Sequence, residues 1–413
     1  MRFREGTRMG LKIDEIDDLI RSCGSPLVIY DEEILKSTYT ELLYSLNGAK
    51  LIYSVKANPN VGVIRSLAKV GALFEVASDN EYELLKRAGI EPANIIFGGQ
   101  AKTRNGIELA VKDKVLFFNL ESEREVELLI DITEKEKVQC KFLLRVNPDM
   151  EQNAAIMKMS SCASPFGVDV ARLDEALMIS NDTNAIFSGF FMYNGSQYYH
   201  AEDIIRNTKY LLGVAKKYAE KYKIEYLDFG GGFGVIESDT QDELDLKQLE
   251  NGLKQISYSE ELPYLKSVFF ESGRFIATKC GTLVATVIDT KWSKGKRFVI
   301  LDTGITNLGV RQMCYRLFEP FTDFVTNNNE IITQTLIGPT CTSIDNIRTD
   351  CVGKKLSIGD YVVFKYAGSY LLSYSPVYFC GQSTPCEVMK SKDGEWILTK
   401  RKTNIANDFG YNY

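Results

Sequence analysis

Short apolar runs alternate with charged, amphipathic stretches between about residues 50 and 270. Read as strands, the apolar runs are 51–55, 72–76, 94–97, 115–118, 141–146, 186–193, 225–229 and 267–270. The stretches between them, such as 80–87, 121–136 and 202–221, carry helical periodicity. Eight β/α units in roughly 220 residues predict an α/β fold of the (β/α)8 barrel type, with an open doubly wound sheet as the alternative. Beyond Glu271 the texture changes. Runs 281–290, 297–301, 330–337, 360–366 and 396–400 are short and β-rich, separated by Gly, Asn and Asp turns. They predict an all-β, barrel-like C-terminal domain. Run 26–30 is one more strand-like segment, expected to return to that β domain. The expected domains are 33–271 for the barrel, and 1–32 with 272–413 for the β domain.

Composition narrows the chemistry. The chain has 413 residues, 45% hydrophobic and 25% charged, enough for more than one well-filled core. The net charge is -6 and basic residues form no stripe, which argues against a nucleic-acid partner. No apolar run approaches the roughly 18 residues of a membrane span, and Met1-Arg2-Phe3-Arg4-Glu5 opens no signal-peptide core. Nine scattered cysteines without a CxxC pair fit a reducing cytoplasm better than a disulfide framework or a zinc site. One histidine, His200, nearly excludes histidine metal sites and serine–histidine triads. No metal is expected, and His200 reads as a partly exposed loop residue. Acid–base work therefore falls to Lys, Cys, Tyr, Asp or Glu.

Barrel enzymes build their sites at the carboxyl ends of the strands. There, Lys56 closes an apolar run and is followed by the turn Ala57-Asn58-Pro59-Asn60. A lysine in an apolar setting can lose its proton and form an imine with an aldehyde. An ordinary surface lysine is the other reading of that run alone. Gly230-Gly231-Gly232-Phe233-Gly234 follows the seventh strand, where bare backbone N–H groups can approach a phosphate; a tight turn is the plainer alternative. The eighth strand ends in Glu271-Ser272-Gly273-Arg274, with Gly273 a further bare backbone next to a cation. An amine, a phosphate cradle and a carboxylate are joined by one molecule, pyridoxal phosphate. Glu271 would pair with its protonated ring nitrogen and keep the ring an electron sink.

Tyr53-Ser54-Val55-Lys56-Ala57-Asn58, the glycine cluster, Glu271-Ser272-Gly273-Arg274, Gly338-Pro339-Thr340-Cys341-Thr342-Ser343-Ile344-Asp345 and Gly368-Ser369-Tyr370 are five blocks in order. They resemble the signature blocks of the fold-type III pyridoxal phosphate decarboxylases, the diaminopimelate/ornithine/arginine decarboxylase family. The resemblance runs from about Pro26 to about Lys400. It implies a homodimer with shared active sites, the β domain completing each site and the dimer interface. It also implies residue roles. Lys56 would anchor the cofactor, and Glu271 would hold the ring nitrogen. Tyr370, Ser196 and the glycine loop, Gly231 and Gly232 included, would hold the phosphate. Cys341 would reach across from the partner subunit as proton donor. Glu75 matches an acid beside the lysine. Arg145 would join the polar network under the cofactor, a structural salt bridge being the alternative. A thiol is a competent acid near neutrality, although most free cysteines are simply small apolar residues.

Three departures from the family pattern narrow the substrate. The residue after the cysteine is usually acidic and holds a distal ammonium; here it is Thr342. A buried cation without a carboxylate is costly, which disfavours free ornithine, lysine or diaminopimelate unless Asp345 or another acid compensates. Tyr193, in Phe191-Met192-Tyr193-Asn194-Gly195-Ser196-Gln197, stands where the family usually stacks a histidine on the ring; it can stack without titrating near neutrality. Residues 305–316 match the family's carboxylate-binding block poorly; Arg311 stays a candidate for a carboxylate, but a solvated arginine is the favoured reading. The departures resemble a specialised branch from biosynthetic clusters, antibiotic pathways among them. Such enzymes act on an amino acid conjugated to a carrier protein, a citrate amide or a nucleotide-peptide. Ser373-Tyr374-Ser375-Pro376-Val377-Tyr378-Phe379, with Thr384-Pro385, is most similar to the carrier-protein type acting on glutamyl thioester. The alternatives are a decarboxylase of a free diamino acid and a catalytically inactive regulatory paralogue, which would be expected to have lost Lys56, Glu271, Cys341 and Tyr370. A racemase on the same barrel would pair the ring nitrogen with arginine, so Glu271 argues against it.

Overall fold

The computed structural model describes residues 13–150, 157–158, 162–237, 243–309 and 321–403. The chain divides into two compact units: residues 36–236 with 242–276, and residues 1–35 with 237–241 and 277–413. Strand β1, Leu27–Asp31, belongs to the second of these.

The first unit is the barrel. Its strands are β2 (Lys50–Ser54), β3 (Leu73–Val76), β4 (Ile95–Phe97), β5 (Phe117–Leu120), β6 (Cys140–Asn147), β7 (Ala185–Phe191), β8 (Tyr226–Asp228) and β9 (Ser267–Ser272). All pair in parallel in the order β5-β4-β3-β2-β9-β8-β7-β6, and a β5–β6 pairing closes the ring. The eight apolar runs are thus the eight staves. The helices that follow β3, β4 and β5 start where Ser78, Thr103 and Ser122 accept hydrogen bonds from the N–H groups of Glu81, Gly106 and Glu125, relieving amides that the first helical turn leaves unpaired.

The barrel interior is filled, not hollow. Ile52, Ile96, Phe117, Leu143, Phe191 and Phe269 form one buried cluster, with Leu73 and Tyr226 packed against it, so every strand contributes. Phe117 meets Phe269 edge-on at 5.3 Å and stacks on Tyr226 at 5.9 Å. Side chains two residues apart on a strand share a face. Two residues beyond each of these eight positions stand Ser54, Glu75, Gly98, Asn119, Arg145, Tyr193, Asp228 and Glu271, at or just past the strand ends. An apolar plug is therefore capped by a polar tier.

The second unit is a nine-stranded mixed sheet. Its further strands are β10 (Gly281–Ser293), β11 (Lys296–Leu301), β12 (Thr322–Val325), β13 (Ile331–Ile337), β14 (Asn346–Lys354), β15 (Tyr361–Lys365), β16 (Cys386–Lys390) and β17 (Trp396–Lys400). The order is β14-β13-β11-β10-β1-β16-β17, with β15 bridging β10 and β12. The N-terminal β1 pairs antiparallel with β10 and parallel with β16, so it joins the two halves of the sheet. Leu27 and Ile29 face a core with Val284, Val363 and Val388, and the buried Tyr30 hydroxyl donates to Glu387 at 2.8 Å. Strands β12, β14 and β16 have no counterpart among the sequence runs. β14 buries only Ile347 and Cys351, with Thr349 and Gly353 between and beyond them on that face, so its apolar alternation is too sparse to mark a half-buried strand.

Because Phe117 lies at the centre of the plug, Phe117→Ala should lower unfolding stability by about 3–5 kcal/mol. Urea titration of the cofactor-free variant checks this; a loss under about 1 kcal/mol would mean that the plug does not support the barrel.

Candidate active site

Strand β2 ends at Ser54, and Lys56 sits in the single 3-10 turn Val55–Ala57 that follows. The lysine is thus two residues past the strand, at the carboxyl end of the barrel. Its side chain is 46% exposed and its ammonium lies 3.6 Å from the buried Glu75 carboxylate. The ammonium also lies 5.9 Å from the centre of the Tyr193 ring. Glu75 packs against Gly98, where an added Cβ would come within 2.7 Å of its Oε1.

Arg145 is buried and donates from Nη1 to Glu121 at 2.7 Å; the other Glu121 oxygen accepts from the Gly167 N–H at 2.9 Å. Its guanidinium stands 4.9 Å from the Phe166 ring, 5.3 Å from Phe191 and 6.0 Å from Tyr193. Nη2 reaches the Tyr193 carbonyl at 3.4 Å. The arginine charge is therefore spent on Glu121, and its planar face supports the Tyr193 segment. Glu121 was not singled out by the sequence.

Asp228 and Asn119 were also missed, though both are buried in the polar tier. One Asp228 oxygen accepts from the Gly230 N–H at 2.9 Å. The other has no hydrogen-bond partner; the same is true of Glu75 Oε2, Glu271 Oε1 and both ends of the Asn119 amide. Burial pushes the Asp228 carboxyl up to about 7, against the pull of the Gly230 N–H. Burial also pushes Glu271 well above the usual carboxylate range; the Asp228 and Glu75 carboxyls add to this and Lys56 opposes it. Adjacent buried carboxyls cannot all carry charge without a cation among them.

The glycine loop after β8 is held to the segment after β7. Tyr198 N–H donates to the Gly232 carbonyl at 2.8 Å, and Gly234 N–H to the Tyr198 carbonyl at 2.9 Å. Gln197, buried with φ 63, accepts from the Val235 N–H at 3.0 Å. Gly230 and Gly232 have φ of 63 and 96, and a Cβ on Gly232 would come within 2.3 Å of the Gly195 carbonyl. A Cβ on Gly231 would meet the Glu271 carbonyl at 2.1 Å. The glycines are required by this close backbone approach as well as by any anion. The Gly231 and Gly232 N–H groups donate to no acceptor among the described residues. Ser196 is buried in the short strand Gly195–Ser196, and Gly273 lies against Ala57 and the Ser54 carbonyl. Arg274 opens the helix Arg274–Thr278. His200 is exposed, as expected.

In the second unit, Cys341 is exposed and its sulfur lies 3.4 Å from that of Cys380. Cys380 holds the Cys341 thiol above its ordinary pKa. Thr342 accepts at its hydroxyl from the Ile344 N–H at 3.4 Å. Asp345 is buried, accepts from the N–H groups of Ile305 at 2.8 Å and Thr340 at 3.0 Å, and also takes the Thr340 hydroxyl. Tyr370 is half-buried, with its ring 6.3 Å from that of Tyr374. Arg311 lies outside the described residues.

Residues 33–278 match the family described as pyridoxal-dependent decarboxylase, pyridoxal binding domain. The chain belongs to the pyridoxal-dependent decarboxylase family. It is 30% identical, over 95% of both chains, to the L-glutamyl-[BtrI acyl-carrier protein] decarboxylase of Niallia circulans. It is 27% identical, over 97% of its length and 95% of the relative's, to the diaminopimelate decarboxylase of Aquifex aeolicus. The diaminopimelate decarboxylase of M. jannaschii superposes with a TM-score of 0.88 over 96% of this chain and 94% of that one, at 22% identity. The lysine decarboxylase of Selenomonas ruminantium gives 0.76 over 90% and 94%, at 23% identity. Pyridoxal phosphate is the cofactor of this decarboxylase, and the barrel mouth fits it. The Lys56 amine is half exposed beside Glu75, bare amides follow β8, and Asp228 and Glu271 bury two carboxyls against each other.

A carboxyl whose pKa is raised by folding binds more protons folded than unfolded. Stability then falls as pH climbs from its ordinary value of 3.8 towards about 7. Cofactor-free decarboxylase should therefore melt progressively lower between about pH 4 and about pH 7, and Asp228→Asn should flatten that slope. The Asn oxygen can keep the Gly230 hydrogen bond. Melting temperatures of both proteins across this range check it; parallel slopes would contradict the raised carboxyl.

Proposed function

We infer that this decarboxylase acts on an amino acid whose far end is conjugated, with a glutamyl unit carried on a carrier protein as the leading candidate. The observation that carries the inference is the commitment of Asp345. Its carboxylate is buried and occupied by Ile305 and Thr340, so it is not offered to a distal ammonium. Thr342 supplies a neutral hydroxyl at the neighbouring position. A free diamino acid would leave its second ammonium desolvated against neutral groups, a cost of several kcal/mol. A glutamyl thioester carries no such charge. The printed activity of the Niallia circulans relative supports the same substrate class. Assignment to specialised metabolism, and to antibiotic pathways within it, follows from that substrate class.

The roles fall to residues as follows. Lys56 holds the cofactor at its aldehyde carbon, with Glu75 beside the ammonium. Glu271, backed by Asp228, holds a proton at the ring nitrogen. Tyr193 would cover a ring face, and Arg145 steadies Tyr193 through its carbonyl. Gly231, Gly232, Ser196, Gly273, Arg274 and Tyr370 take the phosphate. The bound cofactor supplies the electron sink into which the electrons of the broken Cα–carboxylate bond pass. Cys341 delivers a proton to Cα; a thiol is protonated at neutral pH, as a donor must be. The working form is a homodimer in which Cys341 of the partner subunit serves the site.

Turnover of a glutamyl–carrier-protein conjugate should exceed that of free diaminopimelate, lysine or ornithine, assayed by release of labelled carbon dioxide. Faster turnover of any free diamino acid would reverse the substrate inference. Cys341→Ala should lower kcat about 10²- to 10⁴-fold while cofactor absorbance stays intact. Unchanged kcat would remove Cys341 from the reaction.

A further inference from the structure

Cys341 and Cys380 stand 39 residues apart in sequence, yet their sulfurs are 3.4 Å apart and both residues are exposed. Each sits on a backbone that is fixed locally. Cys341 lies in the turn braced by Asp345, through the Thr340 N–H and Ile305 N–H. Cys380 is held at φ 53, in the left-handed region that side-chain-bearing residues rarely adopt, inside the 3-10 segment Phe379–Gly381. Gly381 N–H donates to the Tyr378 carbonyl and Gln382 N–H to the Phe379 carbonyl, which pins that turn. A disulfide needs a sulfur separation of about 2.0 Å, so the two loops must close by little more than one ångström. Cys23 and Cys386 also neighbour each other, but Cys386 is buried, whereas the 341/380 pair meets solvent.

We propose that Cys341 and Cys380 are a reversible redox-modification site, in which a peroxide joins them as a disulfide and withdraws the proton-donating thiol from the reaction. The switch-off rests on the role given to Cys341 above; the bond itself does not. One thiol loses its proton and its sulfur attacks a peroxide oxygen. The O–O bond breaks, the sulfur becomes a sulfenic acid, and the other oxygen leaves as water. The second thiol then attacks that sulfur. The S–S bond forms and the sulfenic oxygen leaves as a second water. The protein loses two protons and two electrons, and the peroxide gains them. A thiol reductant returns both groups to thiols. Hydrogen peroxide is small enough to enter wherever an amino-acid Cα must enter.

The test uses cofactor-loaded wild type and Cys380→Ser, each treated with hydrogen peroxide and then with dithiothreitol. Cysteine-linked peptides are mapped by mass without reduction, and activity is compared with the same protein's reduced form. In wild type, a peptide pair joining positions 341 and 380, two hydrogens lighter than its parts, should accumulate. Activity should fall in proportion, and dithiothreitol should restore both. Cys380→Ser should form no such link, and its peroxide loss should resist dithiothreitol as the isolated thiol passes to higher oxides. Absence of the 341–380 link in fully oxidised wild type would overturn the proposal and leave the role of Cys341 standing. A complete link with undiminished activity would overturn the switch together with that role.

Discussion

The barrel mouth buries more carboxyl than cation, and this imbalance governs the rest of the site. Glu75, Asp228 and Glu271 all end strands of one ring, above a plug of aromatic and aliphatic side chains that keeps water out. Arg145 is committed to Glu121. Lys56 faces the group, but it is half exposed and 3.6 Å from Glu75. Low polarisability below and like charges around push Asp228 and Glu271 towards their neutral forms. A protonated ring nitrogen held there would supply the missing positive charge. Bound there, the cofactor would complete the electrostatics of the barrel as well as supply its chemistry, and a tier of buried carboxyls would favour a cationic ring.

The second unit contributes by what its turn withholds. A carboxylate at position 345 looks, in sequence, available to a substrate. In the fold it is the hub of its own turn, and Gly304 and Gly338 are bare where a Cβ would strike it. An acid committed to backbone amides cannot also bind a mobile ammonium. That commitment, together with Thr342, is what supports the proposed preference for an uncharged far end.

The barrel was legible because strands buried on both faces read as continuous apolar runs, and a chain of eight of them has few other arrangements. Lys56, Glu75, Arg145 and Glu271 stood out because each breaks such a run with a charge. Asn119 and Asp228 carried the same signal, two residues beyond Phe117 and Tyr226, but the fourth run was ended at Phe118 and the glycine cluster drew attention past Asp228. Gln197 closes the block around Tyr193, but its role was not legible there, since its task is set by a backbone conformation with φ 63. The 341–380 contact joins two irregular loops, where no periodicity links distant positions. β12 and β14 were hidden for a related reason: they lie at the margins of the mixed sheet, where apolar alternation fades.

Reduction of the cofactor-loaded decarboxylase with borohydride, followed by peptide mass mapping, tests the central claim most directly. The account predicts a stable pyridoxyl adduct on the ε-nitrogen of Lys56 and nowhere else. An adduct on another lysine, or none in fully loaded enzyme, would contradict it.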